Sequence, residues 1–209
     1  MPVSRRLELV NYSAAHGSLV IEDDFENEFV YLQKPTPSLF GLAGGQNVVY
    51  LGTFSRLLLP SIRISFMVLP PELSALYRKK ADQYNQTASK AEQIALCQFI
   101  RDGHLAAQTR KLKRLYSVKL KALRSAVREV FGKDSQIQTG AAGTSLALTL
   151  STTLTWQELQ KKAQTNGLRL QLLREAPGKI TLILSCSSMP VADFVPACKL
   201  LNDISQIQN

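Results

Sequence analysis

The stretch from Val48 to Pro70, VVYLGTFSRLLLPSIRISFMVLP, constrains the fold more than any other part of this sequence. It begins with an apolar run, residues 48–51, whose β-branched and aromatic character is typical of a buried strand. A second such run extends from Ile62 to Val68 and ends at two prolines, which cannot donate hydrogen bonds to a neighbouring strand. The stretch therefore predicts two buried strands joined by a polar loop.

The loop between these two strands carries side chains that suit an anion. Thr53 and Ser55 supply hydroxyl groups, and Gly52 tolerates unusual backbone angles. Arg56 lies at the exit of the loop, and Arg63 lies near the start of the second strand. Two interpretations remain open from these residues alone: a polar connection between core strands, or a phosphate site built from hydroxyl and guanidinium groups.

Two segments of the chain resemble MocR/GabR-type bacterial transcriptional regulators, which contain a fold-type I aminotransferase-like domain. GTFSR at 52–56, followed by LLLPSIR, resembles the cofactor-lysine segment of that family, which reads GTFSK and then an arginine. LVIEDDFENEF, from Leu19 to Phe29, resembles the family's EDDYDSEF segment. The resemblance implies an α/β fold: the C-terminal part of the large aminotransferase domain, with a partial and mainly parallel sheet, followed by the small α+β domain.

The same resemblance implies a site for pyridoxal phosphate. Asp23 would face the pyridine nitrogen and keep it protonated, so that the ring can act as an electron sink. Thr53 and Arg63 would contact the phosphate, with Ser55 nearby. Arg56 occupies the position of the lysine that forms the Schiff base in the family, and it completes the set of expected cofactor-site residues.

Three departures from the family pattern bear on activity. A Schiff base needs an amine that can lose its proton, whereas the guanidinium of Arg56 stays protonated at any usable pH. Phe25 replaces the tyrosine that hydrogen-bonds the phenolic oxygen of the cofactor, and Ile183 falls where an arginine for the substrate carboxylate is expected. We therefore expect no catalytic residue and no transaminase activity, while noncovalent binding of pyridoxal phosphate stays open.

The resemblance implies two domains, 1–103 and 104–209, and hydrophobic periodicity predicts the elements of each. In the first, Ser4 is expected to cap a helix that ends at Ala15. Further elements of this domain are a short buried strand at 19–21, a loop at 33–46, and helices at 71–84 and 87–101. In the second, a long connecting helix ends near Phe131, and a β-α-β-β-α order from Leu146 onward resembles the small aminotransferase domain. The helix of that order begins at the capping box Thr155–Glu158.

The net charge of +9 is concentrated on the connecting helix. Residues 104–131 contain eight lysines and arginines and one glutamate, a balance of +7 (eight minus one). Such a helix face can be solvated, can pair with acidic groups of another segment, or can follow the phosphates of a nucleic acid. A basic interaction module is therefore one alternative function, and an active pyridoxal-phosphate aminotransferase is another.

Composition excludes several other classes of protein. Of the 209 residues, 45% are hydrophobic and 20% are charged, which is typical of a globular protein. The three cysteines have no metal-type spacing, which indicates reduced thiols in a cytoplasmic protein. With only two histidines as well, we expect no metal site. The acidic cluster at 22–28 is interpreted as the solvated rim of a loop. No apolar run approaches the ~20 residues that cross a bilayer, so no membrane association is expected.

The resemblance also leads to expectations about partners. The chain is expected to begin part-way through the large domain, and DNA would be bound only through an N-terminal winged-helix domain outside this sequence. A partial sheet leaves strand edges open, so we expect pairing with a second copy of the chain. The expected effector is a small amino-acid-like or vitamin B6 molecule.

Overall fold

A computed structural model describes residues 1–24, 36–58, 60–132, 135–139, 143–187 and 189–206. Phe25, one of the predicted departures from the family pattern, lies outside these residues. The described chain forms two compact units, which divide within a long helix between Lys111 and Leu112.

The first unit contains a three-stranded sheet with helices before and after it. Its helices are α1 (Val3–Ala15), α2 (Leu39–Leu42), α3 (Pro71–Lys80) and α4 (Lys90–Arg101), and its strands are β1 (Val20–Asp23), β2 (Val48–Thr53) and β3 (Ser65–Val68). The strand order is β1-β2-β3; β1 runs parallel to β2, and β3 runs antiparallel to it.

Burial in this sheet is confined largely to the central strand. Val48 and Val49 of β2 are buried, as the sequence predicts, but Ile21 of β1 is 65% exposed and all four residues of β3 are exposed. The prediction that β1 and the second strand of the organising stretch are buried is therefore wrong. Both are edge strands in the described part of the chain, and apolar composition alone does not bury an edge strand that nothing covers.

Several boundaries in the first unit also differ from the predicted ones. The predicted loop at 33–46 contains α2, whose N-cap Ser38 accepts a hydrogen bond from the Gly41 N–H at 2.9 Å. Helix α1 begins one residue before Ser4, and its N-cap Pro2 has no side chain that could cap it, so the predicted Ser4 cap is wrong. Strand β3 starts at Ser65 and not at the predicted Ile62, which is the last residue of a 3-10 turn at residues 60–62.

The second unit is an antiparallel sheet with helices. Helix α5 (His104–Phe131) leads into it, followed by β4 (Gln136–Thr139), β5 (Ser145–Ser151), α6 (Trp156–Thr165), β6 (Gln171–Ala176), β7 (Lys179–Ser185) and α7 (Phe194–Ser205). The strand order is β4-β5-β7-β6. The predicted β-α-β-β-α order from Leu146 onward is confirmed, although β6 begins three residues later than the expected start at Leu168.

The core of the second unit follows from the period of two along its strands. Leu146, Leu148 and Leu150 of β5 are buried, while the residues between them are half-buried. Each pairs with a residue of β7, namely Leu184, Leu182 and Ile180, of which the last two are also buried. The helices complete the cluster with the buried side chains of Leu120, Leu123, Val127, Leu159, Phe194 and Leu201.

The buried thiols of this core carry no charge at neutral pH. Burial raises the pKa of Cys198 to about 11, and the nearby carboxylate of Glu129 adds to the shift. Burial also raises the pKa of Cys186. Within the described residues all three cysteines are free, and no cluster of histidine, cysteine and acidic side chains is suited to a metal ion. None of the described helices is long and apolar enough to cross a membrane.

The predicted capping box at the start of α6 is confirmed. The Thr155 hydroxyl accepts the N–H of Glu158 at 3.4 Å, and the Glu158 carboxylate accepts the N–H of Thr155 at 2.8 Å. Hydrogen bonds from the Thr155 backbone and hydroxyl lower the pKa of Glu158.

We expect Thr155→Ala to lower the free energy of unfolding of the second unit by about 1 kcal/mol, because the N–H of Glu158 loses its partner. Urea titration followed by the fluorescence of Trp156, the one tryptophan of the chain, would measure this. Thr165→Ala, at the other end of α6, is the matched control and should have a smaller effect. Equal effects of the two substitutions would contradict a specific role of the cap.

Candidate cofactor site

The pairing of β1 with β2 brings two predicted site residues to one edge of the sheet. Asp23, the last residue of β1, lies opposite Leu51, and Thr53 follows two residues later at the end of β2. Because successive side chains alternate between faces, Asp23, Leu51 and Thr53 share one face. Because the strands are parallel, their carboxyl ends meet at the same edge, where open α/β sheets place ligand-binding groups.

One cavity of about 950 Å³ collects four of the five predicted residues. Asp23, Thr53, Ser55 and Arg63 all line it, together with apolar side chains that include Leu51, Phe66 and Met67 of the sheet. Arg56, the fifth, is not among the described residues that line this cavity. Ile183 belongs to the second unit, where it lines a different cleft.

The Thr53–Ser55 turn presents two hydroxyl groups side by side. The Thr53 hydroxyl accepts the N–H of Ser55 at 3.2 Å, and the two hydroxyl oxygens lie 3.2 Å apart. The Thr53 oxygen also lies 3.4 Å from the carbonyl oxygen of Ile64. This local geometry is typical of a threonine that closes a short turn with its own side chain.

Arg63 adopts an unusual backbone conformation beside this turn. Its φ of +47° lies in the left-handed region, which a residue with a Cβ seldom occupies. The next residue, Ile64, is buried and accepts the N–H of Phe54 at 3.2 Å. The buried neighbour and its hydrogen bond fix the backbone next to Arg63, which is exposed and lines the cavity. Such backbone strain is more common at functional sites than elsewhere.

Sequence reasoning missed a buried acid that fixes the end of β1. Glu22 is buried and forms an ion pair with Arg6 of α1 at 2.9 Å. Its two carboxylate oxygens also accept the N–H groups of Leu39 and Phe40, at 2.9 and 3.0 Å, at the start of α2. The interpretation of this acidic residue as part of a solvated rim is therefore wrong. An acidic residue among apolar strand positions, with Arg6 on a preceding helix, was the available signal.

The two aspartates that follow Glu22 have different surroundings. The Tyr50 hydroxyl donates a hydrogen bond to the Asp24 carboxylate at 2.6 Å, and the Asp24 N–H donates to the carbonyl oxygen of Leu51 at 3.0 Å. Asp23 is exposed and lines the cavity. Of these two acids, Asp23 is therefore the one that can meet a ligand there.

The residues around this cavity fit pyridoxal phosphate as a noncovalent ligand. Asp23 can pair with a protonated ring nitrogen, and the hydroxyls of Thr53 and Ser55 with the guanidinium of Arg63 can bind a phosphate dianion. The described lining contains no lysine, so these residues offer no amine for a covalent bond.

Comparison with known sequences finds bacterial regulators that are similar to this chain. No protein-family model matches the sequence. It is 35% identical over 170 residues to the uncharacterized HTH-type transcriptional regulator YdeL of Bacillus subtilis, covering 81% of this chain and 37% of that protein. It is 30% identical over 173 residues to the probable rhizopine catabolism regulatory protein MocR of Rhizobium meliloti, covering 83% and 35%. The chain is a homologue of MocR-type transcriptional regulators. It spans little more than a third of the length of these relatives.

Comparison with solved structures identifies the fold of this MocR homologue. It superposes on LysN, the α-aminoadipate aminotransferase of Thermus thermophilus, with a TM-score of 0.76 and 24% identity. The match covers 97% of this chain and 54% of LysN, which was solved in complex with N-(5'-phosphopyridoxyl)-L-leucine. The fold is that of fold-type I aminotransferases, as the two sequence segments predict.

The Phe66 ring lies directly over Gly52 at this cavity. A Cβ on Gly52 would clash with that ring, which also contacts Tyr50 and Phe54. We expect Gly52→Ala to destabilise the first unit by about 1–3 kcal/mol through overpacking. Urea unfolding followed by circular dichroism would measure the loss.

The control for this prediction is a double-mutant cycle with Phe66→Ala. Removing the ring removes the clash, so Gly52→Ala should cost much less in the Phe66→Ala background. An equal cost in both backgrounds would show that the ring does not require the glycine.

Proposed function

We propose that this chain is the aminotransferase-like, effector-binding part of a MocR-type regulator, and that it binds pyridoxal phosphate without a covalent bond and without transaminase activity. One observation carries the proposal: Asp23, Thr53, Ser55 and Arg63 line a single cavity whose described lining lacks lysine. Bound pyridoxal phosphate would supply an electron-accepting ring. The residues of this chain would hold and orient that ring.

Each proposed contact follows from charge and position. The Asp23 carboxylate would hold a proton on the ring nitrogen, since an adjacent negative charge favours the protonated form. Thr53 and Ser55 would donate hydroxyl hydrogen bonds to the phosphate, and Arg63 would add a charge-assisted pair. An acid on β1 together with phosphate-binding groups at and beyond the end of β2 would orient the cofactor in one direction.

Arg56 supports the loss of covalent chemistry. It is the residue at the family's lysine position, and a guanidinium does not become a neutral nucleophile at physiological pH. Arg56 is half-buried and takes part in an interaction within the protein. The exposed lysines Lys79, Lys80 and Lys90 lie on α3 and α4 and do not line the cavity. These positions favour a binding domain over an active aminotransferase.

The proposed partners follow from the relatives and from the exposed sheet. The names of YdeL and MocR describe regulators, and YdeL is of the HTH type, so DNA would be bound through a helix-turn-helix segment outside this chain. Ile21, Met67 and Val68 are exposed apolar side chains on edge strands, which are suited to a neighbouring protein surface. We propose that a second copy of the chain covers part of this surface, and that the effector is an amino-acid-like or vitamin B6 molecule.

A second candidate function rests on the basic face of α5. Arg114, Lys121, Arg124 and Arg128 recur at intervals of seven, three and four residues, which places them on one helix face. All four are exposed, and none forms an ion pair with another described residue. Such a face could add contacts to the phosphates of DNA bound by the regulator.

We expect pyridoxal phosphate and borohydride to leave no cofactor on the cavity residues of the natural chain. Arg56→Lys should gain attachment at position 56, because it restores an amine that can form a Schiff base. Mass spectrometry of peptides after reduction would locate any adduct, and Arg78→Lys on α3 controls for nonspecific labelling of surface lysines. Cofactor trapped stoichiometrically at one site of the natural chain would contradict the proposal.

Noncovalent binding can be tested separately through Met67, which lines the cavity. In protein labelled with 13C-methyl methionine, pyridoxal phosphate should shift the Met67 resonance. Asp23→Asn should weaken this binding about tenfold or more, because the ring proton loses its charged partner. An unchanged affinity would remove Asp23 from the proposed site.

The α5 hypothesis predicts salt-dependent DNA binding. Replacing Lys121, Arg124 and Arg128 together by glutamine should weaken binding and reduce the salt slope by up to about 0.9 per lost phosphate contact. Fluorescence anisotropy with duplex DNA between low and physiological salt would measure both. The same triple replacement at Arg78, Lys79 and Lys80 of α3 is the control. Equal effects of the two triple variants would show that the net charge of the protein, and not the basic face of α5, accounts for the DNA binding.

A further inference from the structure

The second unit contains a cleft that the proposed cofactor site does not use. It measures about 500 Å³ and lies between α7, the segment that leads into β6, and the end of β7. This volume is within the range of protein sites for small molecules.

The inner walls of the cleft are apolar. Leu123 of α5 and Phe194 and Leu201 of α7 contribute buried side chains, and Met189 lies against the same core. Cys198 is also part of the lining, but its thiol stays protonated at neutral pH because burial raises its pKa to about 11. This interior is therefore uncharged and favours an apolar group.

The segment before β6 places a single cation at this cleft. Gly167, with a φ of +76°, ends α6, and the following N–H of Leu168 donates to the carbonyl oxygen of Ala163 at 2.8 Å. Leu168 and Leu170 pack against the core, while Arg169 between them is exposed and lines the cleft. Among the described residues, Arg169 forms no ion pair, and no carboxylate is part of the lining.

We propose that this cleft binds a small apolar monocarboxylate, with its hydrocarbon or aryl part among the leucines and its carboxylate on Arg169. A guanidinium offers two parallel N–H donors to a carboxylate, which favours this head group over a neutral amide. A cationic ligand would meet repulsion from the same group. The one guanidinium and the uncharged interior match one negative charge joined to an apolar body. The site lies wholly in the second unit and does not depend on cofactor binding in the first.

The experiment compares 4-phenylbutyrate with 4-phenylbutanamide, which share the apolar part and differ in the charge of the head group. In 13C-methyl methionine protein without pyridoxal phosphate, 4-phenylbutyrate should shift Met189, which lines the cleft, and leave Met67, which lines the cofactor cavity, unchanged. The acid should bind at least about tenfold more tightly than the amide, as expected of a charge-assisted pair.

Matched variants assign the preference to one residue. Arg169→Gln should bring the affinity for the acid down to that of the amide, while Arg174→Gln on β6, which is exposed and outside the lining, should keep the preference. Ala197→Phe should fill the cleft and abolish binding of both compounds, since Ala197 is part of its wall. If Arg169→Gln disturbs folding, Arg169→Lys retains the charge and should keep part of the preference.

Three results would overturn the proposal. The first is equal binding of acid and amide by the natural chain, and the second is no shift of Met189 at millimolar ligand. The third is an equal loss of preference in Arg169→Gln and Arg174→Gln. These experiments contain no pyridoxal phosphate, and binding at the cofactor cavity is followed by a different residue, Met67. A failure of the cofactor proposal would therefore be distinguished from a failure of this one.

Discussion

The parallel pairing of β1 with β2 is the constraint on which the rest of the first unit depends. It places Asp23 beside Leu51 and brings both strand ends to one edge of the sheet. A shift of register by one residue would turn Asp23 to the opposite face and separate it from Thr53. The contacts of Glu22 oppose such a shift, because it would turn the Glu22 carboxylate away from Arg6 and the start of α2.

A buried ionic network holds this register at the other face of β1. Glu22 binds Arg6 and the start of α2 at once, so one carboxylate joins a strand and two helices. Breaking such a pair leaves an uncompensated buried charge, which is far more costly than loss of a surface ion pair. The alternation along β1 then sends Glu22 inward and Asp23 to the cavity. Glu22, which has a structural role, and Asp23, which is proposed to bind a ligand, are thus adjacent in sequence but lie on opposite faces of the strand.

The two cavities of this MocR homologue differ in chemistry. The cavity of the first unit presents an acid, hydroxyls and a guanidinium, whereas the cleft of the second unit is apolar with a single arginine. Arg56 and Ile183, which the sequence resemblance predicts at the family positions for covalent chemistry and substrate binding, are not part of the first cavity's described lining. The proposed binding function requires differential affinity for ligands rather than turnover, and the linings of the two cavities are consistent with that requirement.

The sequence alone determined the fold class, the strand–helix order of the second unit, the capping box of α6 and the set of residues proposed to bind the cofactor. These features depend on local spacing and residue type, which a linear pattern contains. Only the tertiary structure decided that β1 and β3 are exposed edges, that Glu22 is buried, and that Asp23, Thr53, Ser55 and Arg63 line one cavity without Arg56. It also revealed the cleft beside Arg169. Burial and the meeting of distant side chains depend on which elements become neighbours, and periodicity within one element does not contain that information.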